Sequence, residues 1–518
     1  MRITRPIALK NLQENKENGE TMAVVTLSIS ELISMTGLGK QKILDGLNEI
    51  GAPIDDEKDD EIYAEVTPNR PDLFSVEGAA RALNSFYGKK PKVYSVKKSS
   101  LALIVEPSVQ KVRPYIVAAL VKNVTIDDNS LKSIIQLQEK LHDTIGRKRK
   151  KIAIGIHNAD EVVFPLVYKA VKEETFVPLD FDVKMTAAQI LAKHPKGMAY
   201  SHLVKGAYPM LYDKKGVLSF PPIINSERTR VDVGTKNLFI DITGTNLKTL
   251  QGALNIICCA FADRGGEVMQ VNIGKISTPN LDPQRMDLDI GGINALLGEK
   301  FSSRQIFDYL ERMGWFHDKE VALVPPYRMD IWHYSDAAED VAIAHGYNNF
   351  KPSLPGFFTP GSLAQNYEGV RDALVGMGFV EMVNYSLTNR EVVDGKPALK
   401  IINPKTEEFT VMRMRIAESL LDNLVINKTH ELPIKIFEIG RIYEENERVH
   451  LGFAVSMESV DFSSFKGVLQ TLSESMEDEF SFKLSASMFF IKGRGADIYR
   501  SGEKIGFIWE VAPEKLFE

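Results

Sequence analysis

Cysteine is almost missing from this 518-residue chain, which has two, Cys258 and Cys259, side by side in an Ala-rich apolar stretch. Adjacent thiols cannot build a disulfide framework or a cysteine-based zinc site, and in such a setting they read as reduced core residues. Long apolar runs are missing as well. The longest, Ala253 to Ala262, is too short to cross a bilayer and contains Asn255, and no segment near Met1 has the pattern of a secretion signal. Nor is there an excess of positive charge: 63 Lys and Arg against 69 Asp and Glu leave a net charge of −6. That excludes a nucleic-acid coat or a polybasic membrane binder, while leaving room for a local basic patch such as Arg147-Lys148-Arg149-Lys150-Lys151. These absences predict a soluble, cytoplasmic protein that does not bind membranes. What is present is ample apolar material, 44% of the chain, over a length suited to roughly three to four domains.

The patterning predicts an α+β, multidomain chain. Residues 1–21 are polar and without period, and are expected to be an N-terminal extension. A small α+β domain follows at 22–90, with a capped helix after Ser28 or Ser30 and another from Gln41 to Ile50 that stops at Gly51. The Lys-, Ser- and Pro-rich stretch 89–100 reads as a linker into a second α+β domain at 98–276, with strand-like runs at 101–105, 115–121, 151–156 and 162–168 and helices near 130–141 and 247–262. Residues 278–355 carry three short helical patterns with strands around them, which suggests a winged-helix-like module. There Ser302 or Ser303 is a natural N-cap and Gly314 a stop. Residues 356–518 read as an antiparallel sheet domain with packed helices.

The segment Tyr327-Arg328-Met329-Asp330-Ile331-Trp332-His333-Tyr334-Ser335-Asp336-Ala337-Ala338-Glu339-Asp340 places four carboxylates where a short strand turns into a helix. If the helix begins near Asp336, then Glu339 and Asp340 share its face and Asp330 arrives from the preceding segment. Oxygen ligands alone suit Mg²⁺ or Ca²⁺. Equally, Asp336 as N-cap with Glu339 at N3 makes a capping-box-like start.

Four blocks together carry a resemblance. Asn69-Arg70-Pro71-Asp72 followed by Ser75-Val76-Glu77-Gly78-Ala79-Ala80-Arg81, then Leu141 to Lys151, then Pro221-Pro222-Ile223-Ile224-Asn225-Ser226-Glu227, and the acidic segment extended through Gly346-Tyr347-Asn348-Asn349 resemble, in order, the β subunit of phenylalanine-tRNA ligase in its archaeal and eukaryotic form. The resemblance implies that Asp330, Asp336, Glu339 and Asp340 are Mg²⁺ ligands. In the first block a structural role is favoured, with Pro71 fixing φ, Asp72 capping the helix near Ser75 and Arg70 paired with an acid.

The third block with Leu238 to Thr245 resembles the β subunit's editing domain, which hydrolyses tyrosine wrongly attached to phenylalanine tRNA. Such a site is needed because an apolar pocket rejects an added hydroxyl by only on the order of a hundredfold. Hydrolysis requires a held water, donors for the oxyanion and an acceptor near the phenol. Asn225, Ser226, Glu227, Asp241 and Thr243, with Thr245, supply such groups: Glu227 or Asp241 to read the phenol, Ser226 and Thr243 to orient water or ribose. The same residues also suit turns and strand ends. His194 and His202 are further candidates, more often structural when beside a turn.

Ile434 to Tyr443 resembles a strand of the class II synthetase core, yet no Gly-x-Gly-x-Glu-Arg element is present, Gly493-Arg494-Gly495-Ala496-Asp497 coming closest. This implies a catalytically inactive, class II synthetase-like domain beside a separate α subunit that holds ATP and phenylalanine, in an (αβ)₂ heterotetramer with tRNA and Mg²⁺. Two rivals stand beside it. One is a free-standing aminoacyl-tRNA deacylase, and the other a non-enzymatic nucleic-acid binder built on the module at 283–350, against which the acidic last helix counts.

Overall fold

The computed structural model describes residues 23–354, 361, 367–393, 396–459, 461–485 and 490–511; the expected extension at 1–21 lies outside them. The chain divides into two compact α+β units, Met1–Ser353 and Leu354–Glu518.

The first unit opens with β1 (Ala23–Ser28), α1 (Ile29–Thr36), α2 (Lys40–Glu49), β2 (Ile54–Lys58), β3 (Glu61–Val66) and α3 (Val76–Phe86). Its strands pair antiparallel in the order β1-β3-β2, and their period of two puts Val25, Leu27, Ile62 and Ala64 inside. α1 starts where the Ser28 side chain accepts from the Glu31 N–H and stops at Gly37, whose φ of +73° is left-handed. α3 is capped by Ser75, which accepts from the Gly78 N–H. The expectation that Asp72 would cap it is corrected: Asp72 takes two hydrogen bonds from Arg70, at 3.0 and 2.9 Å. Its carbonyl also runs so close to Gly78 that a Cβ there would lie 1.7 Å from the oxygen, so no larger residue fits.

There follow β4 (Ala102–Val105), β5 (Tyr115–Lys122), α4 (Asp128–Asp143), β6 (Ile152–Asn158), β7 (Leu166–Val171), α5 (Ala187–Lys193), α6 (Pro195–Tyr200), β8 (Tyr208–Asp213), β9 (Gly216–Phe220), β10 (Ile224–Asn225), β11 (Leu238–Gly244), α7 (Leu247–Asp263), β12 (Glu267–Ile273) and β13 (Ile276–Thr278). They form a ten-stranded sheet in the order β10-β9-β8-β7-β4-β12-β5-β11-β6, with β13 beside β12. β5 and β11 are buried on both faces, which is why they read as unbroken apolar runs. Val117, Ala119 and Val121 join one core and Ile116, Ala118 and Leu120 another.

The unit ends with β14 (Gln284–Met286), α8 (Ile290–Leu297), α9 (Ser303–Arg312), β15 (Phe316–Asp318), β16 (Val321–Val324) and α10 (Tyr334–His345), the strands ordered β14-β16-β15. α9 has its cap at Ser302, in a reciprocal box with Gln305. One core takes in Leu32, Leu83, Val117, Ile240, Ile257, Ile306, Trp315 and Val341. The segments 23–90, 98–276 and 278–353 therefore close on one another, and ion pairs stitch the first two: Arg264 at the end of α7 holds Glu77 and Glu31, and Arg81 holds Asp263 at 2.6 Å. Long-range pairs of this kind leave no local mark in a sequence.

The second unit carries helices at Glu368–Gly376, Ala417–Ile426 and Phe462–Ser475. Ile434–Tyr443 pairs antiparallel with Glu447–Ser456 and parallel with Val380–Glu381, and a separate sheet joins Phe480–Leu484, Phe490–Arg500 and Glu503–Val511. The run Glu381 to Leu387 has the apolar pattern of one strand but forms only two short pieces at its ends, Val380–Glu381 and Leu387–Thr388. Between them Asn384 turns in to donate to Glu438 at 2.8 Å, while Val383 and Tyr385 face out.

Candidate functional site

The acidic segment does not gather its carboxylates around an empty centre. Arg328, buried, donates to both oxygens of Asp330, at 2.9 and 2.7 Å, and to both of Asp340, at 2.8 and 3.1 Å. The Trp315 indole N–H adds a bond to Asp340 at 2.6 Å. Asp336 is not the N-cap of α10 but sits in its first turn, where it accepts from the N–H groups of Trp332 and His333 at 2.7 and 2.8 Å; His333 is the cap. Glu339 points to solvent. A Mg²⁺ ion does not fit this arrangement as it stands: two of its four carboxylates share the Arg328 guanidinium and a third is spent on backbone donors. Among the described residues no group of three or more Asp, Glu, His or Cys is placed to hold a metal.

The polar candidates of the large sheet converge on β6. Asp241 on β11 lies opposite Gly155, and a Cβ at Gly155 would come within 2.5 Å of the Asp241 carboxylate, so the glycine makes the room the carboxylate occupies. His157, two residues on and fully buried, has Nε2 at 2.9 Å from Asp241 Oδ1 and Nδ1 at 2.7 Å from Thr229 Oγ1. Its two ring nitrogens thus bridge the Asp241 carboxylate and the Thr229 hydroxyl. Asn225 donates to the Ile156 carbonyl at 3.3 Å. Thr243 accepts from Arg113 Nε at 2.9 Å, while Arg113 Nη2 donates to the Thr243 carbonyl at 2.7 Å; burial pushes this guanidinium down to about 10.

Ser226 is buried, 3.4 Å from the Val177 carbonyl, and Glu227 pairs with Arg230 at 2.8 Å and accepts from the Asp180 N–H. Of the five candidates, Asn225 and Glu227 are partly exposed and Ser226, Asp241 and Thr243 are buried. His194 is a helix cap, its Nδ1 accepting from the Lys196 N–H, and exposed His202 lies apart from these bonds. Chemically this is a preorganised carboxylate–imidazole–hydroxyl chain beneath polar groups that reach the surface.

Against the same strand rests a strained turn. Arg147, Lys148 and Arg149 have φ of +48°, +52° and +64°, a left-handed conformation costing an L-residue about 1–2 kcal/mol each. The buried Arg149 side chain holds it. Nη1 donates to the carbonyls of Pro222 and Ile223 at 3.3 and 3.0 Å, Nη2 to Glu139 at 2.9 Å, and the guanidinium lies 4.7 Å from the Tyr200 ring centre. Arg113 reaches the carbonyls of Arg149 and Lys150. Burial by itself would raise Glu139, but contact with His142 and the charges of Lys196 and Arg149 hold it far below the usual carboxylate range. Burial pushes His142 down to about 4, and its Nε2 accepts from the Ile154 N–H at 2.7 Å.

The chain is 40% identical to the phenylalanine–tRNA ligase beta subunit of Archaeoglobus fulgidus, over 96% of this chain and 95% of that one, and 37% identical to that of Methanocorpusculum labreanum, over 96% of each. The chain belongs to this beta-subunit family. Two family models match within it, the tRNA synthetase B5 domain at 286–347 and the phenylalanyl tRNA synthetase beta chain CLM domain at 358–517. A solved N-terminal fragment of the Pyrococcus horikoshii beta subunit covers 63% of this chain and 100% of its own length, with 38% identity and a TM-score of 0.59. In this beta-subunit chain, sequence reasoning missed Arg113, His157 and Thr229, saw Arg149 only as part of the basic run at 147–151, and gave Arg328 no role. Only Gly155, interrupting a run of isoleucines, hinted at the close approach on β6.

Proposed function

We propose that this chain is the β subunit of a cytoplasmic phenylalanine-tRNA ligase, working in an (αβ)₂ heterotetramer with a separate α subunit that holds ATP and phenylalanine and joins the amino acid to phenylalanine tRNA. Its own chemistry is hydrolytic editing of tyrosyl-tRNA in the region 98–276. The observation that carries the reading is the similarity to archaeal beta subunits along nearly the whole chain. The second unit supports it as a catalytically inactive, class II synthetase-like partner: it lacks a Gly-x-Gly-x-Glu-Arg element and leaves Val383, Tyr385, Ile402 and Ile426 largely exposed, as a docking surface would.

For editing, the support is the convergence of Asn225, Asp241 and Thr243 on β6, with the 225–230 segment tied in through Thr229 and His157. Asp241 is the fixed acceptor that discriminates a phenol, and Asn225 and Glu227 are the groups that meet water and ribose. Mg²⁺ enters as the ion that accompanies ATP in the ligase reaction; the acidic segment at 330–340, two of whose carboxylates are bound by Arg328, is not asked to hold it.

The test is co-purification with α, followed by aminoacylation and deacylation assays. Charging should need both chains, and the assembly should clear tyrosyl-tRNA much faster than phenylalanyl-tRNA. Aminoacylation by this chain alone would refute the assignment, and equal stability of the two esters would refute editing.

A further inference from the structure

We infer that the left-handed turn Arg147–Arg149, continued by Lys150, is a built contact site for the phosphate backbone of the RNA whose aminoacyl end is edited; the inference rests on the editing reading above. Three independent features point there. First, Arg147, Lys148 and Lys150 are exposed, and among the described residues no carboxylate pairs with any of them. Around them stand Lys196 and the buried Arg113 and Arg149, with Glu139 shared between Arg149 and Lys196. In a chain of net charge −6 this is a concentration of one sign that repels itself unless an anion arrives.

Second, the backbone there is held in a conformation that glycine would adopt freely, yet three long basic side chains occupy it. The turn persists because a buried arginine anchors it to the carbonyls of Pro222 and Ile223. Strain kept up by so many bonds fixes the direction of the exposed side chains, and such over-determined outliers mark working parts of a surface. Third, the anchor runs straight into the candidate editing groups. The Pro222 and Ile223 carbonyls precede Asn225, and Arg113 joins the carbonyls of Arg149 and Lys150 to both polar atoms of Thr243.

The partner these features fit is a polyanion with closely spaced monovalent charges. Arg and Lys on a rigid turn position a backbone without reading bases, and the nearby Tyr200 ring is already covered by Arg149. Delivered beside Thr243, that polyanion is the end of a tRNA.

The experiment uses the full α–β assembly carrying Arg147→Gln, Lys148→Gln and Lys150→Gln together, substitutions confined to exposed side chains, with thermal unfolding compared to the parent. Binding of uncharged tRNA is measured against salt. The variant should bind about tenfold more weakly near 0.15 M salt, and the slope of log K against log salt should become shallower by about two, since each lost phosphate contact removes about 0.7–0.9. In deacylation of tyrosyl-tRNA the half-saturating concentration should rise about tenfold, and kcat far less. A charge-conserving variant, Arg147→Lys with Lys148→Arg and Lys150→Arg, should bind like the parent. Parent-like affinity and salt slope in the glutamine variant overturn the inference, as does weak binding by the charge-conserving one. If the parent assembly leaves tyrosyl-tRNA intact, the editing reading falls, and the salt slopes still decide whether the turn touches RNA.

Discussion

In the first unit, large apolar side chains such as Leu32, Phe261 and Trp315 enter one core that runs from the opening strands to α10, and buried arginines close the polar seams between segments. Two further clusters accompany that core, whereas among the described residues of the second unit apolar side chains divide among four small clusters, and more large apolar residues stand exposed than in the unit twice its size. Val383 and Ile402 are 92% and 89% exposed. The ion pairs add a contrast of their own, between buried and exposed: Arg328 with its two carboxylates in the first unit and Arg413 with Glu438 in the second are buried, whereas Arg390 and Asp422 meet in solvent. Among the described residues, the first unit keeps more of its large apolar side chains inside, and the second leaves more of them exposed.

The contrast breaks most readily at the ion pairs. Arg328→Ala removes the guanidinium that binds both Asp330 and Asp340 directly, and removing one side of a buried pair costs about 3–5 kcal/mol. Arg390→Ala, at an exposed pair, should shift stability by less than about 0.5 kcal/mol. Denaturant unfolding of the two variants measures both, and equal small losses would show that Arg328 is no keystone. The next largest effect is one of pH. Unfolded, the His142 imidazole takes up a proton near 6.5; folded, burial delays this to about 4. Protonating Nε2 also forfeits the bond from the Ile154 N–H. As pH falls from 6.5 to 4 the unfolded state binds a proton that the folded state refuses, so the first unit should lose up to ~3 kcal/mol across that window. A His142→Gln chain should show a flatter profile; an equally steep one would place the titration elsewhere.

Which parts were legible in the sequence follows the same division between local and long-range chemistry. The Ser302–Gln305 box, the stop after α9 at Gly314 and the paired core faces of β5 are set by neighbours three or four residues away or by a period of two, and a sequence displays those. The start of α10 was misplaced because histidine is an uncommon cap, so Asp336 looked like the first residue when it was the third. The four carboxylates near 330–340 looked like ligands because Arg328, which answers two of them, is one more basic residue until the fold points it inward. His157, Thr229 and Arg113 come from three separate segments, and nothing in their immediate surroundings announces that they meet Asp241 and Thr243.

A smaller effect tests the acidic segment. Asp336→Ala removes the acceptor for two N–H groups at the start of α10 and should cost about 1 kcal/mol, the usual worth of a helix cap, with no change in metal content of the purified chain. A clear loss of bound Mg²⁺ would return the carboxylates to metal service and overturn the pairing with Arg328 as their main role.

The smallest expected change in stability is the most telling about the second unit. Val383 and Ile402 make little use of the unit's own clusters, so replacing both with serine removes almost no buried area and should move unfolding by less than about 0.5 kcal/mol. If those side chains are anchors for α, truncating them removes apolar area from the middle of an interface, where a few residues carry most of the binding energy at 2 kcal/mol or more each. The double variant should then fold like its parent and yet fail to hold α during gel filtration at micromolar concentration, a loss of affinity on the order of a hundredfold or more. A variant that retains α while unfolding early would place Val383 and Ile402 in the unit's own stability. One that retains α and unfolds normally would move the docking surface to another face, with Ile426 and Leu432 next to be tried.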